Sequence, residues 1–369
     1  MTRYYAGVDV GGSHVSVGLL DEAGNLMLTL DQQLLSNSTV TADELVSIMY
    51  RLISQVAFTL FEGENGSGDG AGSNFGSHIA SVGVGCPGHV KNGVLVAASN
   101  LPLLNDAPLA SKLSARLDGI PVVLVNDADA AVAAEVWSKE TRSAYRDMEN
   151  VALITLGTGI GLGLVLNRRL YSGSNGLVEG GHMIVPSCEE GGAARQCGCG
   201  QVNCVETFAS AKSLGVRFSE MSGSDMDAKA AFHEAANGNL DAERALNDAA
   251  KSLAVLVINL CRIVDPDMIV FGGGMSQAGD KLLHRVRSHV KKLSWSVLPT
   301  FVKLGIAKSS VNAGLIGAAL AGKHDRAVSP SDDDFSTTLS SPIVRLGSLA
   351  AAAGVGALLT WLFLARVKR

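Results

Sequence analysis

Three features that would assign the chain to common functional classes are missing from the sequence. It has no excess of basic residues, since 30 Lys and Arg stand against 35 Asp and Glu for a net charge of -5, and this leaves no basic stripe for a nucleic-acid backbone. The cysteines lack the spacing of a disulfide framework, which favours metal binding in a reducing compartment. No secretory signal precedes the first apolar strand pattern, which begins at Tyr4. We therefore expect the folded body of the protein to lie in the cytosol and not to bind DNA or RNA.

The composition is typical of a folded α/β protein that is long enough for two domains. The chain has 369 residues, of which 47% are hydrophobic and 42 are glycine. An apolar run, a glycine turn and a second apolar run occur twice, at residues 4–20 and 151–166. This repeat predicts two β-hairpins, one in each half of a duplicated architecture. We predict an N-terminal domain over residues 1–125 and a C-terminal domain over residues 126–322.

The glycine turns carry groups that suit a nucleotide. Asp9 lies at the end of the first strand, before glycines whose N–H groups can approach an anion and before the Ser13 hydroxyl. Alone, this pattern also fits a tight turn with a capping aspartate, but a second glycine turn with a threonine repeats it. Two such turns facing each other across a cleft would hold successive phosphates and a hydrated Mg²⁺, while a third glycine run would lie against adenine or ribose. The predicted nucleotide-binding residues are Asp9, Gly11, Gly12, Ser13, Gly157, Thr158, Gly159, Gly272, Gly273 and Gly274.

Asn126-Asp127 follows a predicted strand that ends at Val125 and precedes an alanine-rich helix. Ligand crevices in α/β sheets open at the carboxyl ends of strands. Asp127 is the candidate general base, which would orient an attacking hydroxyl and take its proton during phosphoryl transfer. The alternative role is a helix N-cap, which either Asp127 or Asp129 would provide, leaving the other carboxylate free for chemistry.

The strongest local signal is a cluster of three cysteines within eight residues, preceded by a histidine. Three thiolates and one imidazole complete a closed tetrahedral zinc site, which is structural because no position stays open for water. The alternative is a group of free thiols without metal, and Cys188 is left out because it lies outside the cluster. Zinc would fix the segments that carry Glu179 and Glu206. The predicted metal ligands are His182, Cys197, Cys199 and Cys204.

The motifs, in their order along the chain, resemble those of the ROK family of sugar kinases and related repressors. The likeness covers about residues 4 to 322 and includes Asp9-Val10-Gly11-Gly12-Ser13, Ser99-Asn100-Leu101-Pro102, Asn126-Asp127-Ala128, Leu156-Gly157-Thr158-Gly159-Ile160-Gly161, Glu179-Gly180-Gly181-His182, the cysteine cluster with Glu206, and Phe271-Gly272-Gly273-Gly274. The resemblance implies the two-domain actin-like ATPase (ribonuclease H-like) fold. It implies that Asp127 is the catalytic base and that His182 bridges zinc and sugar through its two ring nitrogens. The sugar ligands that it implies are Gly88, Asn100, Asn126, Asp127, Glu179, His182 and Glu206.

The resemblance also implies an activity, which is transfer of the γ-phosphoryl group of ATP to the 6-hydroxyl of a hexose. Glucose is the expected substrate, with Mg²⁺ and structural Zn²⁺ as cofactors, and a homodimer or higher homo-oligomer is expected. N-acetylmannosamine, N-acetylglucosamine, fructose, allose and mannose are competing substrates, and polyphosphate is a competing donor. A sugar-sensing regulator is the alternative from another class, but the family's repressors carry an N-terminal helix-turn-helix and the first strand here begins at Tyr4.

Two residues and the length of one stretch depart from the family pattern. Asp129 stands where Asn is common, and its added negative charge is expected to raise the pKa of Asp127 or to shift the sugar preference. Ser13 replaces the usual threonine and retains the hydroxyl. The stretch from His182 to Cys197 is longer than in the family's bacterial glucokinases, which would reshape the zinc loop.

The C-terminal residues predict a membrane anchor. Residues 323–345 are a polar tether rich in Ser, Asp and Thr, and residues 346–365 carry no charge. A helix of about 20 residues is about 30 Å long, which matches the hydrocarbon core of a bilayer. The alternatives are a C-terminal core helix and an interfacial helix, although the stretch has no polar face. The basic end at 366–369 would cross the membrane, so we expect a tail anchor with the kinase in the cytosol, on the mitochondrial or plastid outer membrane.

Overall fold

The computed structural model describes residues 3–34, 39–62, 78–98, 101–189, 191–297, 299–309 and 312–328. The predicted sugar ligand Asn100 and the predicted anchor at 346–365 lie outside the described residues, as does the predicted tether from residue 329 onward. Met1–Asp325 forms one compact unit.

The described chain alternates strands with helices. The strands are β1 (Tyr4–Val10), β2 (His14–Leu20), β3 (Leu26–Gln33), β4 (Ile79–Cys86), β5 (His89–Lys91), β6 (Val94–Ala97), β7 (Val122–Asn126), β8 (Val151–Leu156), β9 (Ile160–Leu166), β10 (Arg169–Leu170), β11 (Met268–Gly272) and β12 (Lys303–Ile306). The helices are α1 (Ala42–Glu62), α2 (Leu109–Arg116), α3 (Asp127–Trp137), α4 (Glu206–Ala209), α5 (Ala211–Ser222), α6 (Ala228–Ala236), α7 (Leu240–Ile263), α8 (Asp280–Leu293) and α9 (Ala313–Val328). This mixture confirms the α/β class that the sequence predicts.

The strands build two larger sheets that repeat one topology. The first has the order β3-β2-β1-β4-β7, and the second has the order β10-β9-β8-β11-β12. Each sheet contains an antiparallel hairpin, β1/β2 in the first sheet and β8/β9 in the second. The first strand of each hairpin pairs in parallel with a further strand, β4 or β11, which pairs in parallel with the edge strand β7 or β12. Every residue of β4 is buried, as expected for a parallel strand that is covered on both faces. The predicted pair of hairpins is therefore confirmed.

Helix α1 covers the first sheet with a regular apolar face. Leu45, Met49 and Ile53 are spaced four residues apart, which places them on one side of the helix, and all three are fully buried in the core of this sheet. Within the described part of the chain, its segment Ala42–Phe61 is long and apolar enough to cross a membrane. The buried face accounts for that composition as the core helix of a globular unit.

Helices α3 and α9 contain many small residues and pack closely on each other and on the strands. A methyl group at Gly317 of α9 would overlap the carbonyl oxygen of Ala130 in α3, and one at Gly83 of β4 would overlap that of Ala318. Helix α3 also contacts β8 and β9 of the second sheet. The end of β7, the start of α3 and the start of α9 are thereby brought into one region, where the candidate site lies.

The position of α9 differs from the sequence-based division in two respects. It falls in the predicted C-terminal range 126–322, yet it packs on the first sheet, where Gly7 and Gly83 lie against its backbone. It also continues to Val328, so the first residues of the predicted tether 323–345 are helical. His324 explains part of this extension, since its ring stacks on Trp137 of α3 with centroids 4.1 Å apart.

Candidate active site

Asp127 begins α3 directly after β7 and leaves most of its carboxylate free. Asn126 is the N-cap of this helix, because its side chain accepts a 2.6 Å hydrogen bond from the Asp129 N–H. The expectation that Asp127 or Asp129 provides the cap is therefore wrong. One oxygen of Asp127 accepts the Ala128 N–H at 2.9 Å. Asp127 is exposed on the surface, but the surrounding protein displaces part of the water around its carboxyl group and raises the pKa of that group.

The side chain of Asp129, unlike that of Asp127, points into the protein. It is 2% exposed, one oxygen accepts a 2.5 Å hydrogen bond from the Ser172 hydroxyl, and the other has no partner among the described residues. Burial, reinforced by the negative charges of Asp127 and Glu179, raises the pKa of Asp129 to about 7. Burial, and not Asp129, is the principal cause of the raised pKa of Asp127. The sequence singles out Asp129, whereas Ser172 carries no signal that identifies it as the partner.

Asp9 is the next-to-last residue of β1 and lies against the first turn of α9. A β-carbon on Gly314 would lie 2.5 Å from its Oδ2 atom. Burial raises the pKa of Asp9, the charge of His14 lowers it, and the charges of Asp127 and Asp31 raise it further. Asp9 and Asp127 are therefore within electrostatic range of each other. The predicted phosphate residues Gly11, Gly12 and Ser13 form the turn between β1 and β2, and the Ser13 side chain is exposed.

The second predicted phosphate turn, Gly157-Thr158-Gly159, joins β8 to β9 and touches Glu206. Oε2 of Glu206 accepts the Ile160 N–H at 2.8 Å, and a β-carbon on Gly159 would lie 2.5 Å from the same oxygen. Thr158 is exposed at the tip of the turn. The structure thus brings a predicted sugar ligand into contact with a predicted nucleotide turn, which sequence reasoning did not anticipate.

The third glycine run, Gly272 to Gly274, lies beside this turn. Gly273 has φ of 81°, and a β-carbon there would lie 2.6 Å from the Leu156 carbonyl oxygen. Both facts require glycine, because residues with a side chain rarely adopt this backbone conformation and because a side chain here would have no space. The end of β11 therefore lies directly against the residue that precedes Gly157.

Two further predicted sugar ligands, Glu179 and His182, lie near Asp127 and Glu206, whereas Asn100 lies outside the described residues. Burial raises the pKa of Glu179, His182 lowers it, and Asp127 and Glu206 raise it. These four groups are therefore electrostatic neighbours. Gly88 follows β4 with φ of 105°, and a side chain there would overlap the Ala97 carbonyl oxygen.

The predicted zinc ligands form one cluster. The donor atoms of His182, Cys197, Cys199 and Cys204 all lie within 4.8 Å of one another. Nδ1 of His182 is 3.6 Å from the Cys197 sulfur, and the Cys199 and Cys204 sulfurs are 3.6 Å apart. Ligands of a tetrahedral zinc ion are separated by about 3.5 to 3.8 Å, given Zn–S and Zn–N bonds of about 2.3 and 2.0 Å. The donor set therefore fits zinc, and Cys188 is buried in the core outside it.

A cluster of buried ion pairs stabilises the stretch between His182 and Cys197, and no motif in the sequence predicts this cluster. The Arg217 side chain is 1% exposed and binds Glu189 at 2.6 Å and Asp248 at 2.7 Å. It also donates to the carbonyl oxygens of Phe208 and Ala245. Glu189 accepts in addition from Arg195 at 2.8 Å. The stretch between His182 and Cys197 is thus fixed to α5 and α7 through Arg217.

Two sheets of matching topology, each with a glycine turn in its hairpin, and carboxylates gathered between them define the actin-like fold of sugar kinases. The chain belongs to the ROK family, whose sequence model matches residues 5–324.

Known proteins of this family resemble the chain over most of its length. Glucokinases from Halalkalibacterium halodurans and Thermotoga maritima are 30% and 31% identical, each over 85% of this chain and over 93% and 95% of their own lengths. An N-acetylmannosamine kinase from Salmonella typhimurium is 28% identical over 86% of this chain and 98% of its own. The crystal structure of a ROK hexokinase from Thermus thermophilus is 25% identical, with a TM-score of 0.69 over 88% of this chain and 99% of its own.

Proposed function

We propose that this chain phosphorylates glucose at its 6-hydroxyl with ATP as the donor. It is an ATP-dependent hexokinase of the glucokinase type, as the relatives known as glucokinases support. The observation that carries the proposal is the convergence of Asp127, Glu179 and His182 with Glu206, which itself contacts the glycine turn of the second hairpin. In this proposal the sugar-binding groups adjoin the phosphate-binding turn through Glu206.

The proposed reaction places Asp127 at the acceptor hydroxyl. Its raised pKa makes the carboxylate a stronger base than an ordinary aspartate. It takes the proton of the 6-hydroxyl as that oxygen bonds to the γ-phosphorus and the bond from phosphorus to ADP breaks. Mg²⁺ would supply charge neutralisation on the phosphates, and Asp9 would be the carboxylate that holds it.

The sugar is held by hydrogen bonds from several directions. The amide group of Asn126 retains its N–H donors while its oxygen caps α3. Glu179 and Glu206 offer acceptors, and Nδ1 of His182 faces the cysteine sulfurs, which leaves Nε2 for a hydroxyl. Gly88 and Asn100 complete the proposed set.

The metal cluster has a structural role in this proposal. His182, Cys197, Cys199 and Cys204 would hold Zn²⁺ with no position open for water, so the ion stabilises the loop and takes no part in proton transfer. Through His182 it would fix one sugar ligand, and through Cys204 it would fix the segment that begins α4 at Glu206.

The membrane anchor and the assembly are further parts of the proposal. Residues 346–365 would insert into a membrane as a tail anchor with the kinase on the cytosolic side, on the mitochondrial or plastid outer membrane, and the kinase would form a homodimer or higher homo-oligomer. Extraction of membranes with alkaline carbonate tests the anchor. Full-length protein should stay in the pellet, whereas its release into the supernatant would argue against a spanning helix.

A panel of sugars tests the catalytic proposal. Purified protein with Mg-ATP is given glucose, mannose, fructose, N-acetylglucosamine or N-acetylmannosamine, and ADP release is measured. We expect the highest kcat/KM with glucose. N-acetylmannosamine is the main competitor because one relative is known as a kinase for that sugar, and a higher kcat/KM for it would replace glucose. Absence of turnover with every sugar would contradict a kinase and favour the regulator.

A further inference from the structure

Glu206 joins two parts of the cleft that the proposed function treats separately. Oε2 lies 2.8 Å from the Ile160 nitrogen and accepts its N–H. The charge of Glu206 also reaches Glu179, which lies among the proposed sugar ligands. One carboxylate therefore contacts the backbone of the phosphate turn and belongs to the sugar side of the cleft.

The Ile160 N–H depends on this carboxylate. Ile160 is only 4% exposed, so water has little access to a donor that loses its partner. An unsatisfied buried N–H is costly, and the backbone moves to recover a hydrogen bond. Because Ile160 directly follows Gly159, such a movement changes the shape of the Gly157–Gly159 turn itself.

The turn is held on its other sides by rigid neighbours. The Ala211 N–H donates to the Gly157 carbonyl oxygen at 2.8 Å. A side chain at Gly181 would overlap the Ile160 carbonyl oxygen, so the backbone before His182 packs directly on the turn. Glu206 is thus the ionisable side chain in a set of contacts that are otherwise made by the backbone.

We propose that Glu206 is a positioning residue for the nucleotide, and that its carboxylate keeps the Gly157–Ile160 turn in the shape that receives phosphate. This inference rests on the proposed function, because it takes the turn to be the nucleotide site. A hexose that hydrogen-bonds Glu206 fixes the same carboxylate, so hexose and nucleotide strengthen each other's binding. Thermodynamic linkage requires the two effects to be equal.

The test measures nucleotide binding in the absence of any sugar. Binding of AMP-PNP with Mg²⁺ to the full chain is followed by calorimetry. Glu206→Ala should weaken it about tenfold, within the range typical of coupled sites. Glu206→Gln retains an oxygen that can accept the Ile160 N–H, so it should weaken binding by less than about threefold. The matched control is Glu140→Gln, which alters an exposed carboxylate outside the proposed site and should leave sugar-free nucleotide affinity unchanged.

A second variant tests the same contact from the opposite side. Gly159→Ala would press a methyl group against Oε2 of Glu206. It should weaken AMP-PNP binding about tenfold in the wild-type chain and much less in Glu206→Ala, where the obstructing oxygen is absent. It serves as the test if Glu206→Ala fails to fold.

The outcomes separate this inference from the proposed function. Unchanged sugar-free AMP-PNP affinity in Glu206→Ala, or equal effects of Gly159→Ala in both backgrounds, would overturn the positioning role while glucose phosphorylation by the wild type stood. Failure of the wild type to bind AMP-PNP or to phosphorylate any hexose would instead contradict the proposed function.

Discussion

Asp9 and Gly314 are in direct contact, since the carboxylate at the end of β1 occupies the space that a side chain on the first turn of α9 would need. Its Oδ2 atom is 2.5 Å from the position of such a β-carbon. The two residues are far apart in sequence, and the contact exists because α9 returns to pack on the first sheet. The space available to Asp9 is therefore set by a residue near the end of the fold.

Gly314→Ala should displace Asp9 and impair the use of Mg-ATP. Alanine favours a helix more than glycine does, so α9 itself should not be weakened. We expect KM for Mg-ATP to rise by about tenfold, because misplacement by about 1 Å is costly at a reacting site. Glucose affinity, measured by calorimetry, should change by less than about twofold. Equal loss of both affinities would point to misfolding of the cleft.

Asp127→Asn should abolish turnover and spare binding. The amide cannot accept the hydroxyl proton, and general bases typically contribute about 10²- to 10⁴-fold to the rate. We expect kcat to fall in that range while the Kd for glucose stays within a few-fold. Asp129→Asn, two residues further on, is the matched control and should retain most activity. A rate above about a tenth of the wild type in Asp127→Asn would remove it from the role of base.

Asp129→Asn should raise stability at alkaline pH. The pKa of Asp129 in the folded chain is about 7, above the ordinary 3.8, so the folded state retains a proton that the unfolded state releases. Stability from this group is present below about pH 4 and is lost as the pH rises to about 7. At pH 8 the variant should be more stable by on the order of 2 kcal/mol. Thermal unfolding between pH 5 and 8 checks this, and parallel curves for the two proteins would contradict it.

Metal analysis should find about one zinc per chain. Cys199→Ser should lose the metal, lower the Tm and weaken glucose binding, because Cys199 is exposed and its loss leaves the core packing intact. Cys261→Ser, which alters a cysteine outside the cluster, should retain zinc and stability. Fully active protein free of metal would refute the assignment.

The parts of the fold that sequence predicts are those with local causes. Glycine between two apolar runs is typical of a hairpin, and both predicted hairpins occur at the expected residues. Asp127 and the four predicted zinc donors could be proposed from the sequence because each has a short-range signature, a strand end in one case and clustered thiols in the other, and the structure brings the donor atoms of the cluster within 4.8 Å of one another. The identity of the N-cap could not be predicted, because Asn126, Asp127 and Asp129 are all good capping residues.

Contacts between segments that are far apart in the sequence could not be predicted from it. Nothing in the motif around Glu206 indicates that it binds the Ile160 N–H, since the two segments are distant in the sequence and meet only in the folded chain. In the sequence, Gly314 is one of several small residues in a predicted helix. Its contact with Asp9 forms because α9 packs on the first sheet. Asp129 was singled out, but the direction of its side chain and its bond to Ser172 depend on tertiary packing.

The buried guanidinium of Arg217 bears on how chimeric proteins could be built from this chain. Residues 182 to 204 look like a portable metal-binding loop, but Glu189 within them depends on Arg217 and, through it, on Asp248. Grafting the loop alone into a relative would keep Arg195 beside the Glu189 carboxylate but would remove the buried Arg217 guanidinium, and losing one partner of a buried ion pair is strongly destabilising. Lysine would not substitute, because a single ammonium cannot reproduce the planar fork that bonds two carboxylates and two carbonyls at once. A chimera that retains the stability of this loop must therefore include Arg217 and Asp248 together with residues 182 to 204.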